Sequence, residues 1–159
     1  MSSNSNYCYS SPYFVIDHDL QLIIEVLRGS YDLRKLSALR RIEMNHPKYN
    51  KGYDILTDLR SASLDINAQD ILKYNFQMES ITFEFQKNKM AILTDSPKET
   101  ALSFMLLNKI KRDEYSGGVF STEEGATNWL GYNQPVHREK ITEFIFNLKN
   151  LSTEELQSF

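Results

Sequence analysis

The amino-acid sequence predicts an α/β fold: one domain built on a four- or five-stranded mixed sheet covered by helices. Three observations carry this. An apolar run, a polar cap and an amphipathic helix follow one another at residues 53–84, and the same unit recurs at 90–112 and 119–131. Repeated strand-then-helix units bury both parts only when the helices lie on a sheet. Ahead of them, two apolar runs joined by a short polar turn read as a hairpin. Finally, 159 residues, 41% of them hydrophobic, supply one core and are short for two.

The elements follow in order. Residues 1–11, rich in Ser and Asn, read as a disordered tail. Tyr13–Asp17 is a first strand and His18-Asp19 its turn. In the second strand, Leu20, Leu22, Ile24 and Val26 share one face, while Gln21, Ile23, Glu25 and Leu27 share the other; Gly29 closes it. A first helix starts at Ser30 or Asp32, shows Leu33, Leu36, Leu39 and Ile42 inward, and stops at Pro47. The third strand, 53–58, runs into a polar loop. Asn67 and Asp70 form a capping box for a helix over 67–84, although Ile81, Phe83 and Phe85 also alternate as a strand would. Residues 90–94 are a central strand. Ser96-Pro97-Lys98-Glu99 then opens a helix to Arg112 whose apolar residues point nearly all round, so cover on more than one side is expected. After a loop over 113–118, Val119-Phe120 is a short last strand. Ser121 to Glu124 read as a full capping box for a helix ending at Gly131. Ile141, Phe144, Ile145, Leu148 and Leu151 mark one more amphipathic helix over 136–151.

Composition excludes several classes. A net charge of −3 argues against bulk attraction to nucleic acid or anionic lipid. No stretch approaches the ~18 apolar residues of a membrane span. The lone Cys8 permits neither an internal disulfide nor a cysteine zinc site, and residues 1–12 lack the basic start and apolar stretch of a secretory signal. These features read as a cytoplasmic protein. His18, His46 and His137 stand in no metal-ligand or catalytic-triad spacing, and Gly117-Gly118 lacks the Lys-Ser/Thr of a phosphate loop. No cofactor is implied and no enzyme is expected, since an enzyme would need a perturbed acid/base pair in a pocket.

The element order β-β-α-β-α-β-α-β-α, the Asp58-Leu59-Arg60 phrase closing the third strand, and the segment Val119-Phe120-Ser121-Thr122-Glu123-Glu124-Gly125-Ala126-Thr127-Asn128-Trp129-Leu130-Gly131 resemble the STAS-like, or SpoIIAA-like, family of small bacterial proteins. The resemblance covers residues 12–132; residues 133–159 form a helical extension, packed on the domain or on a second subunit. It implies a regulatory interaction module. A related architecture, the CRAL-TRIO fold, carries apolar ligands. Anti-sigma-factor antagonists carry a phosphorylated serine in an Asp-Ser-Ser-Gly-type stretch. Residues 64–69, the matching stretch here, hold neither Ser nor Gly, so that switch does not carry over.

Two sets of candidate residues follow. Asp58, Arg60, Ser61 and Ser63, with Asp95 and Ser96 from the neighbouring strand end, lie where open α/β sheets place ligands and would meet a protein partner, self-association included. The plainer reading makes Asp58 a cap for local backbone amides and Arg60 a solvated or paired surface residue. If the first reading holds, alanine at Asp58 and Arg60 abolishes partner capture with little loss of stability. The alternative function is carriage of a small apolar ligand in a pocket of Met78, Phe83, Phe104 and Met105, residues that are otherwise core. Residues 28–60 are locally basic, a face for an acidic partner or a phosphate, or simply a solvated one.

Overall fold

The computed structural model describes residues 13–81, 88–109 and 115–151, with side chains omitted at 75–81, 109 and 115. Its elements are β1 (Phe14–Asp17), β2 (Leu22–Tyr31), α1 (Leu33–Met44), β3 (Asp54–Leu64), α2 (Ala68–Ile81), β4 (Asn88–Leu93), α3 (Pro97–Lys109), β5 (Tyr115–Phe120), α4 (Glu123–Leu130) and α5 (Pro135–Lys149). The five strands form one mixed sheet in chain order. β1 runs antiparallel to β2, and β2 through β5 run parallel to one another. The predicted fold class holds.

Chain-order pairing decides the layers. Crossovers that step in one direction along a sheet and keep one hand put all their helices on one face. Accordingly Leu39 of α1 and Leu107 of α3 pack with Ile23, Leu27, Ile55, Leu59 and Ile92, and α2 sits against both helices. The other face, with Leu22, Ile24, Val26, Leu56 and Leu93, needs separate cover. Ala126 and Leu130 of α4 and Ile141, Phe144, Ile145 and Leu148 of α5 supply it. The extension therefore packs on its own sheet, against β2. It does not cover Leu72 of α2, which lies on the opposite layer and is half-exposed.

Several elements depart from the sequence reading, each for a physical reason. Gly29 does not close β2; it takes a φ of +83° and the strand continues to Tyr31. β3 likewise runs on to Leu64, so Ser61 and Ser63 lie in a strand and not in a loop. Between Asp58 and Ser61 the register slips: Val26 pairs with Asp58 and Arg28 with Ser61, so β3 holds one extra residue. Leu59 and Ala62, an odd step apart, consequently join the same core.

On α1, Glu43 is buried and Ile42 is exposed, the reverse of the predicted stripe. Residues about 100° apart cannot keep one face at a strict spacing of three, because nine positions rotate the helix by about 180°. On α3, Phe104 is half-exposed, while β3 and β5 cover one side of the helix and α2 another, as its apolar residues predict. On α4 the cap is Thr122, whose hydroxyl accepts from Gly125 N–H, so the Ser121 box does not form. β5 begins at Tyr115 and includes Gly117 and Gly118. A Cβ at Gly117 would come 2.6 Å from Leu107 Cδ2, and one at Gly118 would come 2.7 Å from the Phe120 ring, so glycine admits cover on both faces there. The box at Asn67 does form: its side chain accepts from Gln69 and Asp70 N–H, and Asp70 accepts from Asn67 N–H.

Candidate functional site

β4 ends at Leu93, opposite Asp58, while β2 and β3 run on together to Tyr31 and Leu64. The carboxyl end of the sheet is therefore a two-stranded arm with its base at Asp58. Asp58 itself is wholly buried on the α4/α5 face. Arg60, two residues on, grips it with both nitrogens: Nε donates to Oδ1 at 3.0 Å and Nη2 to Oδ2 at 2.7 Å. The Arg60 backbone N–H adds a third bond to Oδ1. Arg60 Nη2 also reaches Glu123 Oε1 at 2.7 Å in the first turn of α4, and Lys149 Nζ, at the end of α5, lies 3.0 Å from Asp58 Oδ2. Thr142 of α5 donates to the second Glu123 oxygen.

Two carboxylates and two cations thus balance in one network. Burial pushes the Asp58 carboxyl up, but the hydrogen bonds from Arg60 and Lys149 outweigh it and hold the group below the usual carboxylate range. The Asp58 bond in turn raises Arg60 above its ordinary value. Both helix ends profit, an acid at the start of α4 and a base at the end of α5 complementing their dipoles. Nearby, Arg28 Nη1 donates to the carbonyl of Lys149, the last residue of α5, and to that of Leu151 just beyond it. The chemistry of Asp58 and Arg60 is directed inward, to pin α4 and α5 to the sheet.

The other predicted residues scatter around this hub. Ser61, Ser63 and Asp95 are exposed on the arm and beside it. Ser96 caps α3: its hydroxyl bonds the Glu99 carboxylate, and Glu99 Oε1 accepts from Leu64 N–H at 3.1 Å, holding the end of the arm to α3. Of the proposed apolar pocket, Phe83 and the Met78 side chain lie outside the described residues. Phe104 faces solvent with 49% exposure, and Met105 is half-buried. The three histidines each pack edge-on against a ring: His18 on Tyr53, His46 on Phe14, His137 on Tyr132. Among the described residues no group of three or more His, Cys, Asp or Glu is placed to hold a metal, and no helix is long and apolar enough to cross a membrane.

A second polar cluster, on the α1/α2 face, was not singled out by sequence reasoning. Glu25 of β2 and Glu43 of α1 are both buried and share one cation, Arg40, at 3.3 Å and 2.6 Å. Thr57 of β3 donates to Glu25, and Tyr74 of α2 accepts from Arg40. Burial pushes Glu25 up, but Arg40 and the hydrogen bonds hold it below the usual range. For Glu43, burial dominates and Glu25 adds to it, so its carboxyl sits well above that range. The available signal was Glu25 on an otherwise apolar strand. A charge facing a covered side of a sheet needs a partner, and Arg40 with Glu43 at i,i+3 was the nearest candidate.

At the tip of the arm lies an open groove of about 560 Å³ between α1 and the β3–α2 junction. Asp32, Arg34, Ser37, Arg41, Asp65 and Asp70 line most of it. Asp32 caps α1, and Asp65 N–H donates to Tyr31 O at 2.8 Å, which fixes the two strand ends that frame the groove.

No family model and no curated protein matches the chain. Among solved structures, the chain is similar to an uncharacterized protein from the DUF3478 family with a SpoIIAA-like fold, from Shewanella loihica PV-4. Identity is 15%, the match covers 69% of this chain and 83% of that one, and the TM-score is 0.44.

Proposed function

We propose that this protein is a non-enzymatic regulatory module acting through protein–protein contact, with self-association among its contacts. The observation that carries the reading is the groove at the tip of the β2–β3 arm, where Arg34 and Arg41 of α1 stand beside Asp32, Asp65 and Asp70. The groove is open and ringed by charges, unlike the enclosed apolar cavity that holds a small apolar ligand. Exposed charges of both signs set register and steer encounter with a complementary protein surface. Ser61, Ser63 and Asp95 extend the polar surface around the arm. An enzyme needs its perturbed acid/base pair within reach of substrate, and Glu25 and Glu43 are sealed under α1.

The test is charge reversal at Arg34 and Arg41 together. Both are exposed, so the double variant should melt as the parent does. Proteins retained by the parent chain and lost by the variant support the reading, and equal retention overturns it. Native mass spectrometry of gently purified protein supplies the second arm. Clean multiples of the chain mass support self-association, whereas an excess that vanishes on denaturation replaces this reading with carriage of a small ligand.

A further inference from the structure

The two buried networks differ in their charge balance. Asp58, Glu123, Arg60 and Lys149 sum to zero. Glu25, Glu43 and Arg40 sum to −1 when both carboxyls are ionised. An uncompensated charge in a closed interior is costly, and the least costly remedy is to keep a proton on one of the carboxyls. We propose that the Glu25–Arg40–Glu43 cluster is a proton-operated latch: one proton held between the two carboxyls keeps α1 docked on the sheet, and its loss in alkaline conditions loosens that docking.

The geometry supports each part. Glu43 is 0% exposed, its Oε2 accepts from no donor among the described residues, and its carboxyl meets that of Glu25 within hydrogen-bonding reach, a contact that needs a proton on one of the two. A neutral carboxyl bears such an orphan oxygen at far less cost than a carboxylate. The groups facing the pair, element by element, are Arg40 on α1, Tyr31 on β2, Thr57 on β3, Tyr49 in the loop after α1 and Tyr74 on α2. Arg40 is the one cation among them, and the three tyrosines are held neutral by burial to higher pH than usual. None of them can supply a second positive charge when the proton leaves. Glu25 belongs to the sheet and Glu43 to α1, so the repulsion then acts across the interface that α1 makes with β2.

The sign follows from linkage. A carboxyl raised in the folded state binds a proton that the unfolded chain has already lost, so its contribution to stability is full below the ordinary carboxylate value and is lost as pH rises through the raised one. Across that window the unfolding equilibrium constant of the parent protein should grow by up to about tenfold per pH unit. Glu43→Gln, which is neutral at all pH, should flatten that dependence. Amide protection factors, corrected for intrinsic exchange, should fall with pH on α1 before they fall on β3 in the parent and not in the variant. Parallel pH dependence in parent and variant overturns the latch. If Glu43→Gln does not fold, carboxyl-carbon NMR titration of the parent decides: one glutamate titrating well above the others supports the proposal, and all titrating in the ordinary range overturns it.

Discussion

Lys149, the last residue of α5, sets its ammonium 3.0 Å from the buried carboxylate of Asp58, in the middle of β3. The two are far apart in sequence, and their pairing closes the C-terminal helix over the sheet. Asp58 is thereby a structural anchor before it is anything else. Removing it strands Arg60 and Lys149 in a partly dry site, so Asp58→Ala should cost about 3–5 kcal/mol. Lys149→Met, which leaves Asp58 with Arg60, should cost about 1 kcal/mol. Urea unfolding of both single variants and the double variant measures the coupling. Additive losses would mean that the two residues do not act together.

The same carboxylate sets the acid limit of the fold. Its folded-state value lies below the ordinary one, so its contribution is fully present above about pH 4 and is lost as pH falls through the depressed value. Glu99 is depressed in the same sense, through Ser96 and the Leu64 amide that offset its burial. Thermal midpoints should fall steeply below about pH 4 in the parent protein. Asp58→Asn should start lower at neutral pH and fall less steeply, converging on the parent in acid. A variant curve that stays parallel to the parent's throughout would remove Asp58 from the acid response.

Gly117 gives a local test of packing. The added methyl of Gly117→Ala would lie 2.6 Å from Leu107 Cδ2, too close for ordinary contact. Leu107 is buried but its contact atoms are the end of a side chain, so the cost should be about 1–3 kcal/mol and not outright unfolding. Leu107→Val beside it should recover part of the loss by vacating that space. Chemical denaturation of the two single variants and the pair settles the matter, and no recovery would place the strain elsewhere.

What was legible in the sequence was whatever depends on local pattern. The apolar alternation of β2 gave both faces correctly, Leu22, Ile24 and Val26 on one side and Ile23 and Leu27 on the other. The Asn67–Asp70 box needed only its own four residues. The misses needed a partner strand or helix to be seen. Polar Arg60 to Ser63 become strand because β2 offers them a ladder, and Gly117-Gly118 become strand because β4 offers them one. Asp58 and Arg60 were found as a pair, but their orientation was not, because Glu123 and Lys149 arrive from helices far along the chain. The Glu25–Glu43 pair is invisible to any local window for the same reason.

The final helix brings these threads together. The resemblance placed it outside the family pattern, yet chain-order pairing leaves one sheet face to α4 and α5 alone, and α5 lies on β2, next to the edge strand β1. Phe144 is 1% exposed among Leu22, Ile24 and Val26, and Ile141, Ile145 and Leu148 bury the rest of that stripe. Lys140 ties the same helix to Asp17 at 2.7 Å, at the β1–β2 turn. Phe144→Ala should therefore cost about 3–5 kcal/mol, as much as a central core residue. Phe146→Ala, one residue pair further on and 65% exposed, should stay within about 0.5 kcal/mol. A chain ending at residue 132 should aggregate or unfold, because the apolar face of β2 would then meet water. A stable, monomeric 1–132 fragment with native-like hydrogen-exchange protection in β2 would show instead that α5 is an accessory to the fold.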